Sequence, residues 1–311
     1  MSQLKHLLSM LVDQPWAMEP ATLARLKSIF AARLTSGQLF FGPDLHAAMD
    51  APMPDQASAE QRSQSATELG IAVVEVAGMI GDKTQSLGTS AASLDRMLTR
   101  AYASPQVQAV LLNVDSPGGA TAGVPELAAK IFAGRSSKPT LALANGLMAS
   151  AAYHLAAAAS EVWSISSGEI GSIGVYSIHE DHSQELQQQG VDVTVISEGK
   201  YKTETMPFAP LSEEARAFLQ QRVAEAYGQF IRDVARFRGV TPAAVRNGYG
   251  QGRVLSAPAA RAANLIDRVG TFEEAVQRLA KLAGRTANRG ARPSTTAARR
   301  RLALAERAAP R

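Results

Sequence analysis

Two short segments surround a serine or an open backbone turn with small residues, and each could do chemistry. The first is Asp115-Ser116-Pro117-Gly118-Gly119-Ala120-Thr121-Ala122-Gly123, where an apolar run hands over to a helical pattern. Its paired glycines let the backbone turn with N–H groups exposed, and a helix N-terminus behind them adds positive potential. Such a stretch can cradle an oxyanion or a phosphate; an ordinary Pro-Gly turn is the other reading. No Gly-Lys-Ser/Thr follows, so it is not a P-loop. The second segment is Ala144-Asn145-Gly146-Leu147-Met148-Ala149-Ser150-Ala151-Ala152-Tyr153. Ser150 opens an Ala-rich helical pattern, so its hydroxyl lies in a helix-dipole field beside free backbone donors. That position suits a nucleophile, and equally an N-cap serine.

Composition narrows the chemistry. The 311 residues contain no cysteine, which excludes thiol nucleophiles, disulfide scaffolds and Cys-ligated metals, and leaves serine, lysine and carboxylate chemistry. At 46% hydrophobic the chain can bury a full core. Its net charge of +4 is misleading, because Arg285 to Arg311 holds eight arginines against Glu306, which leaves −3 on residues 1–284. That tail is read as a solvated extension, the only part suited to nucleic acid. Aromatic content of 5% disfavours a base-stacking platform. No apolar run reaches membrane-spanning length and no secretory signal opens the chain, so the expectation is a cytoplasmic protein without a membrane anchor.

The elements that must position these residues follow from hydrophobic periodicity. Helical patterns at Leu4–Val12 and Thr22–Leu34 form an N-terminal arm over residues 1–50, and a Pro-, Gln- and Ser-containing linker covers 51–69. From residue 70 strands and helices alternate in a βαβ rhythm. Strands are predicted at Ile71–Val76, Val107–Val114, Thr140–Ala144, Glu161–Ile165 and Val191–Ile196. Helices are predicted at Leu94–Ala103, Val124–Phe132, after Ala149, at Glu185–Gln189, at Ser212–Arg238 with Ser212 as N-cap and Gly239 as terminator, and at Ser256–Ala263 and Phe272–Ala283. The domain spans 70–284, and 285–311 is read as a disordered basic tail.

Four signatures in order make the chain recognisable: Ser116-Pro117-Gly118-Gly119, Ala149-Ser150-Ala151-x-Tyr153, Gly171-Ser172-Ile173-Gly174-Val175, and Gly199-Lys200-Tyr201-Lys202 followed by Pro207-Phe208. Together they resemble the signal peptide peptidase A family of Ser-Lys serine peptidases, and within it the phage-encoded branch that matures proheads. Gln14-Pro15-Trp16-Ala17-Met18-Glu19-Pro20 also looks like openings in that branch. The resemblance implies an α/β fold of the Clp-protease/crotonase type, a repeated β-β-α spiral. Ala151 departs from the glycine that usually follows the nucleophile in membrane-bound relatives.

Carried over residue by residue, the resemblance makes Ser150 the nucleophile, Lys202 the general base and Ser172 the group that aims the lysine. Gly119 and Ala151 supply the oxyanion-hole N–H groups. Lys200 is read as a solvated neighbour of the base. The function implied is an ATP-independent endopeptidase working through an acyl-enzyme, without cofactor or metal, on capsid, portal or scaffold proteins in the bacterial host or inside proheads. Because the chain holds one unit where double-length relatives hold two, a homo-oligomeric ring is expected, with Ser150 and Lys202 meeting across a subunit interface. Competing readings are His179 as a Clp-like base, a crotonase-type acyl-CoA hydratase or isomerase using Asp115, and a non-catalytic assembly scaffold. His179-Glu180-Asp181-His182 lacks zinc-peptidase spacing and reads as a solvated helix start.

Overall fold

The computed structural model describes residues 16–20, 22, 63–81 and 88–291, with side chains to residue 284. The helical pattern Leu4–Val12, most of the Thr22–Leu34 pattern, most of the 51–69 linker and the tail from residue 292 lie outside the described residues.

The larger sheet is built on apolar strands that are covered on both faces. Strand β2 (Ile71–Ala77) pairs in parallel with β5 (Ala109–Ser116), and β5 with β7 (Thr140–Ala149). β7 is long enough to serve two further strands: Leu141 to Ala144 pair with β8 (Glu161–Ser164), and Leu147 to Ala149 pair with β9 (Glu169–Gly171). β10 (Val254–Ser256) closes one edge antiparallel to β9, and β11 (Arg268–Val269) pairs with β8. The continuous apolar run in β5 is explained by its two faces. Val110, Leu112 and Val114 enter one buried cluster, while Ala109 and Leu111 enter another on the opposite side.

The first cluster is closed by α1 (Ala91–Ala103), α2 (Val124–Gly134), α3 (Ala151–Ala157) and α5 (Glu213–Arg238). The second is closed by α8 (Phe272–Ala291) through Phe272, Ala275, Val276 and Leu279 against Trp163. A smaller sheet, ordered β1-β6-β3-β4, lies over the active end: β1 (Trp16–Met18), β3 (Met79–Gly81), β4 (Gly88–Ser90) and β6 (Gly118–Ala120). Short helices α4 (Ser183–Gln188), α6 (Pro242–Gly248) and α7 (Ala257–Ala262) lie between these elements, and residues 63–68, in the stretch read as linker, are helical as well.

Local chemistry sets the boundaries. Ser90 caps α1 by accepting from Ser93 N at 3.1 Å, and Ser212 caps α5 by accepting from Ala215 N at 3.1 Å. Gly239, with φ 67°, ends α5 as its sequence position predicted. Three expectations are corrected. Residues 191–196 form no strand: the backbone joins no ladder and the side chains are exposed, Ile196 at 94%. Their alternation of apolar residues specifies a face to bury, and among the described residues nothing covers it. β7 continues five residues beyond Ala144 to Ala149, bending at Gly146, where φ is 146°. Helix α8 runs past Gly284 to Ala291, into the segment read as tail.

One ion pair joins α5 to the β8–β11 edge. Arg238 grips Asp267 with two hydrogen bonds of 2.8 and 2.9 Å, and Asp267 also accepts from Val162 N at 2.7 Å. Burial pushes the Asp267 carboxyl up, but the Arg238 bonds and the Val162 amide outweigh it and hold it below its ordinary value. A depressed carboxylate contributes stability above its unfolded pKa, and that contribution is lost as pH falls through the lower folded value. Asp267→Asn should therefore destabilise the fold by about 2 kcal/mol at neutral pH, measured by urea unfolding, because the Arg238 side chain is only 10% exposed. The gap between variant and parent should close in strong acid.

Candidate active site

Ser150 sits between the end of β7 and the start of α3, in a backbone conformation (φ 55°, ψ −117°) that non-glycine residues rarely adopt. Such positions cost roughly 1–3 kcal/mol and persist only where the surroundings impose them. Here the surroundings are visible. Ser150 N donates to Gly171 O at 2.7 Å, extending the β7–β9 pairing by one residue, and Ser150 O accepts from His154 N at 2.9 Å to start the helix. Every residue of α3 is buried, and Tyr153 ties it to the far side of the fold by donating to Leu265 O at 2.8 Å. Ser150 does not cap α3 through its side chain; its Oγ approaches only Gly174 O, at 3.4 Å. The N-cap reading of this serine is thereby set aside: its hydroxyl is held at a helix start without serving the helix.

The amide of Ala151 is the first of α3 and has no partner within the helix. Gly118 faces it. A methyl group built on Gly118 would stand 3.0 Å from both Ala151 N and Ala149 O, so only glycine lets β6 come this close. A methyl group on Gly119 would collide with the backbone of Ile80 in β3, reaching its C at 2.6 Å and its N at 2.7 Å. Ser116 stabilises the turn, its Oγ donating to Gly78 O at 2.6 Å and accepting from Gly118 N at 3.2 Å. The stretch Ser116–Gly119 is thus a strand edge packed against the helix N-terminus, with Gly119 and Ala151 on its two sides.

Ser172 lies level with Ser150 across the β7–β9 pair. It too has positive φ, 53°, is buried, and donates its amide to Arg253 O at 2.8 Å. Ser150, Ser172, Gly119 and Ala151 are therefore brought to one place. Lys202 is not. It lies in the exposed turn following Gly199, and among the described residues its amine makes no hydrogen bond or ion pair. Lys200 is committed elsewhere: its amine donates to Tyr201 Oη at 2.8 Å and to Glu214 at 3.1 Å, and these bonds, the tyrosine first, raise its pKa. A lysine held protonated is a poor base.

The other titratable groups have separate duties. His179 contacts Ala209 O at 3.3 Å, and His182 contacts Glu185 at 3.3 Å at the start of α4. His154, one turn after Ser150, stacks on Phe230 at 4.5 Å and pairs with Asp233 at 3.2 Å, pointing into the helix layer. Burial pushes the Asp233 carboxyl up, but the His154 contact, Gln229 and Arg236 more than reverse this and leave it lowered. Asp115 accepts from Leu147 N at 3.0 Å and fills the space beside Gly146, so it clamps the β7 bend. The sequence had pointed to Asp115 only as a carboxylate; its clamp on a residue 32 positions away is a spatial fact. Among the described residues no group of three His, Cys, Asp or Glu could hold a metal.

Comparison with known proteins adds the family. Residues 133–286, which include Ser150, Ser172 and Lys202, match the model of peptidase family S49. The chain is 30% identical over 251 residues to capsid assembly protease C of Escherichia phage lambda, covering 76% of this chain and 57% of that protein. It is 30% identical over 306 residues to the head-tail preconnector protein GP5 of Enterobacteria phage P21, covering 94% of this chain and 60% of that one. A third similarity, 30% over 221 residues, is to a Synechocystis protein named "Putative protease", 77% of whose length is matched, along with 71% of this chain. The chain spans a little over half the length of the two phage relatives. A serine held at a strained strand-to-helix turn, glycines packed against the first helical amide and matches of this extent lead to one conclusion: the chain belongs to peptidase family S49.

Proposed function

We propose that this chain is a serine endopeptidase in which Ser150 is the nucleophile, and the observation that carries the reading is the Ser150 turn itself. A buried hydroxyl without a capping bond, next to an unpartnered helix amide, suits attack on a carbonyl whose developing oxyanion is received by Ala151 N and Gly119 N. Attack moves the serine proton to a base, the tetrahedral intermediate collapses as that base protonates the leaving amine, and water then releases the acyl group. No cofactor enters this scheme. Asp115, which a hydratase reading would need as a free carboxylate, is occupied by Leu147 N.

The base is Lys202, delivered by a neighbouring subunit, with Ser172 aiming its amine. Two features support this. Lys202 does not meet Ser150 within the chain, and it lies on a surface that looks unfinished. Val191, Val193, Val195, Ile196, Tyr201, Met206 and Phe208 are exposed together, and among the described residues the backbone from Asp192 to Glu198 makes no hydrogen bond. An alternating, apolar and unpaired segment suits an edge that takes a partner, and a ring of identical subunits would supply one. The lambda and P21 relatives are named for capsid assembly and head-tail connection, so the substrates proposed are capsid, portal or scaffold proteins, processed in the infected bacterium or within proheads. Among the described residues no helix is long and apolar enough to cross a membrane.

A fluorophosphonate should label Ser150, mapped by peptide mass spectrometry. Ser150→Ala should be neither labelled nor active, while its stability stays within about 1 kcal/mol of the parent, since no capping bond is lost. Labelling elsewhere, or an active Ser150→Ala, sinks the assignment.

Lys202→Arg keeps the charge but cannot release a proton, so hydrolysis of a peptide ester should fall by a factor of about 1000 or more. His179→Ala should keep most of its activity; the opposite pattern in these two variants identifies a histidine base.

Gly119→Ala, which forces β6 away from Ile80, should lower kcat by roughly 100-fold or more, with KM changing far less, because the oxyanion donor moves. A variant with parental kcat removes Gly119 from the oxyanion hole.

A further inference from the structure

The catalytic cleft is not open along its length, for a strand of the chain's own N-terminal arm lies in it. Trp16, Ala17 and Met18 are buried to 2–3% exposure, although the sequence places them in an arm separate from the domain. They run antiparallel to β6, Ala17 opposite Gly119 and Met18 opposite Gly118. On the other edge Trp16 exchanges two hydrogen bonds with Tyr176, Trp16 N to Tyr176 O at 2.8 Å and Tyr176 N to Trp16 O at 3.0 Å. The arm strand is thus inserted between β6 and the segment that follows Ser172.

Its register is that of a peptide presented for attack. Glu19 N donates to Pro117 O at 2.8 Å. Two residues back, the Ala17–Gly119 pair is of the same hydrogen-bonded kind, which turns the Ala17 carbonyl toward Gly119 N. A methyl group on Gly118 would meet that same carbonyl oxygen while standing 3.0 Å from Ala151 N. The Trp16–Tyr176 bridge is isolated, and two residues before Tyr176 lies Gly174, whose carbonyl oxygen is 3.4 Å from Ser150 Oγ. The Ala17–Met18 peptide therefore lies between the two oxyanion donors and the nucleophile. The Ala17 side chain borders a cavity of about 310 Å³ shared with Val124, His154, Val175 and Phe230, and with Glu126 and Glu225 at its polar side.

We propose that Trp16–Glu19 is an intramolecular occupant of the substrate strand's place, an inhibitory strand that must leave before a protein substrate can add to β6. This rests on the assignment of Ser150 and its oxyanion donors. The backbone pairing that a substrate would use is already made with Gly119 and Tyr176, and two strands cannot share it.

The test uses the full-length chain and two arm variants. Ala17→Asp buries a carboxylate beside Glu126 and Glu225 and should expel the strand; Trp16→Ser removes the largest buried side chain of the arm and does so without new charge. Two readouts are taken: hydrogen exchange of the Trp16 and Tyr176 amides, and the second-order rate of fluorophosphonate labelling at Ser150. In the parent both amides should be protected, and protection should not depend on protein concentration. In both variants they should exchange at least about 10-fold faster while Ser150 labels at least about 10-fold faster. An acetylated peptide of residues 14–22 added to either variant should restore protection at Tyr176 and slow labelling. Unprotected arm amides in the parent, or variants that release the arm yet label no faster, overturn the proposal. Protection lost on dilution assigns the seat to another copy's arm and overturns it as well. If Ser150 is labelled in no form, the peptidase assignment fails, and protection of Tyr176 by the peptide still decides whether the arm fills the cleft.

Discussion

The 2.7 Å hydrogen bond from Ser150 N to Gly171 O is the contact on which the active end depends. It carries the β7–β9 pairing one residue past the strand, and so forces Ser150 into a conformation costing roughly 1–3 kcal/mol. One hydrogen bond, worth about 1 kcal/mol net, does not hold such a turn alone. The remainder comes from α3, which is buried along its whole length, begins and ends on alanine pairs, and is anchored at both ends. Tyr153 binds Leu265 O near its start, while Arg135 donates to Ala158 O and Ala159 O just past its end. The helix cannot rotate to relieve the serine. Gly118 follows from this constraint, since a side chain there would meet Ala149 O and Ala151 N at the fixed helix end, whereas Gly119 answers to the close approach of Ile80 in β3.

The same constraint bears on why the proposed nucleophile sits in the sheet layer while the proposed base lies in an exposed turn. The turn, the oxyanion amides and Ser172 are all products of the central sheet and its first helical layer. Lys202 belongs to a segment that leaves that layer, with an apolar, unpaired backbone exposed on the way. Within the account proposed here, assembly supplies both what this segment packs against and what Ser150 reacts with. Activity and quaternary structure then become one property.

Much of this was legible in the sequence, for reasons specific to each element. β5 and the first half of β7 are continuous apolar runs, and α5 carries both its cap and its terminator, so local chemistry sufficed. The crowd of small residues around Ser150 announced a tight strand-to-helix turn. Other features depend on spatial neighbours. Residues 191–196 have the alternation of a strand, yet pairing requires a second edge, and the described residues offer none. β7 continues through Gly146, where Asp115 accepts from Leu147 N, and Trp16–Met18 is too short to show any period, its strand pairing lying with β6 and Tyr176. The resemblance to Ser-Lys peptidases pointed to the Ser150 turn, but distance along the chain carried no information on whether Lys202 reaches it.

The claim that the site is completed by a neighbour is tested most directly by complementation. Inactive Ser150→Ala and inactive Lys202→Ala chains are mixed in equal amounts, exchange of subunits is verified by native mass spectrometry, and hydrolysis of a peptide ester is measured. Random assortment joins an intact serine to an intact lysine at roughly a quarter of the interfaces, so activity should return to roughly a quarter of the parental level. A verified mixture that stays inactive, or a parental monomer that is fully active, would contradict the account and place both residues of the dyad within one chain.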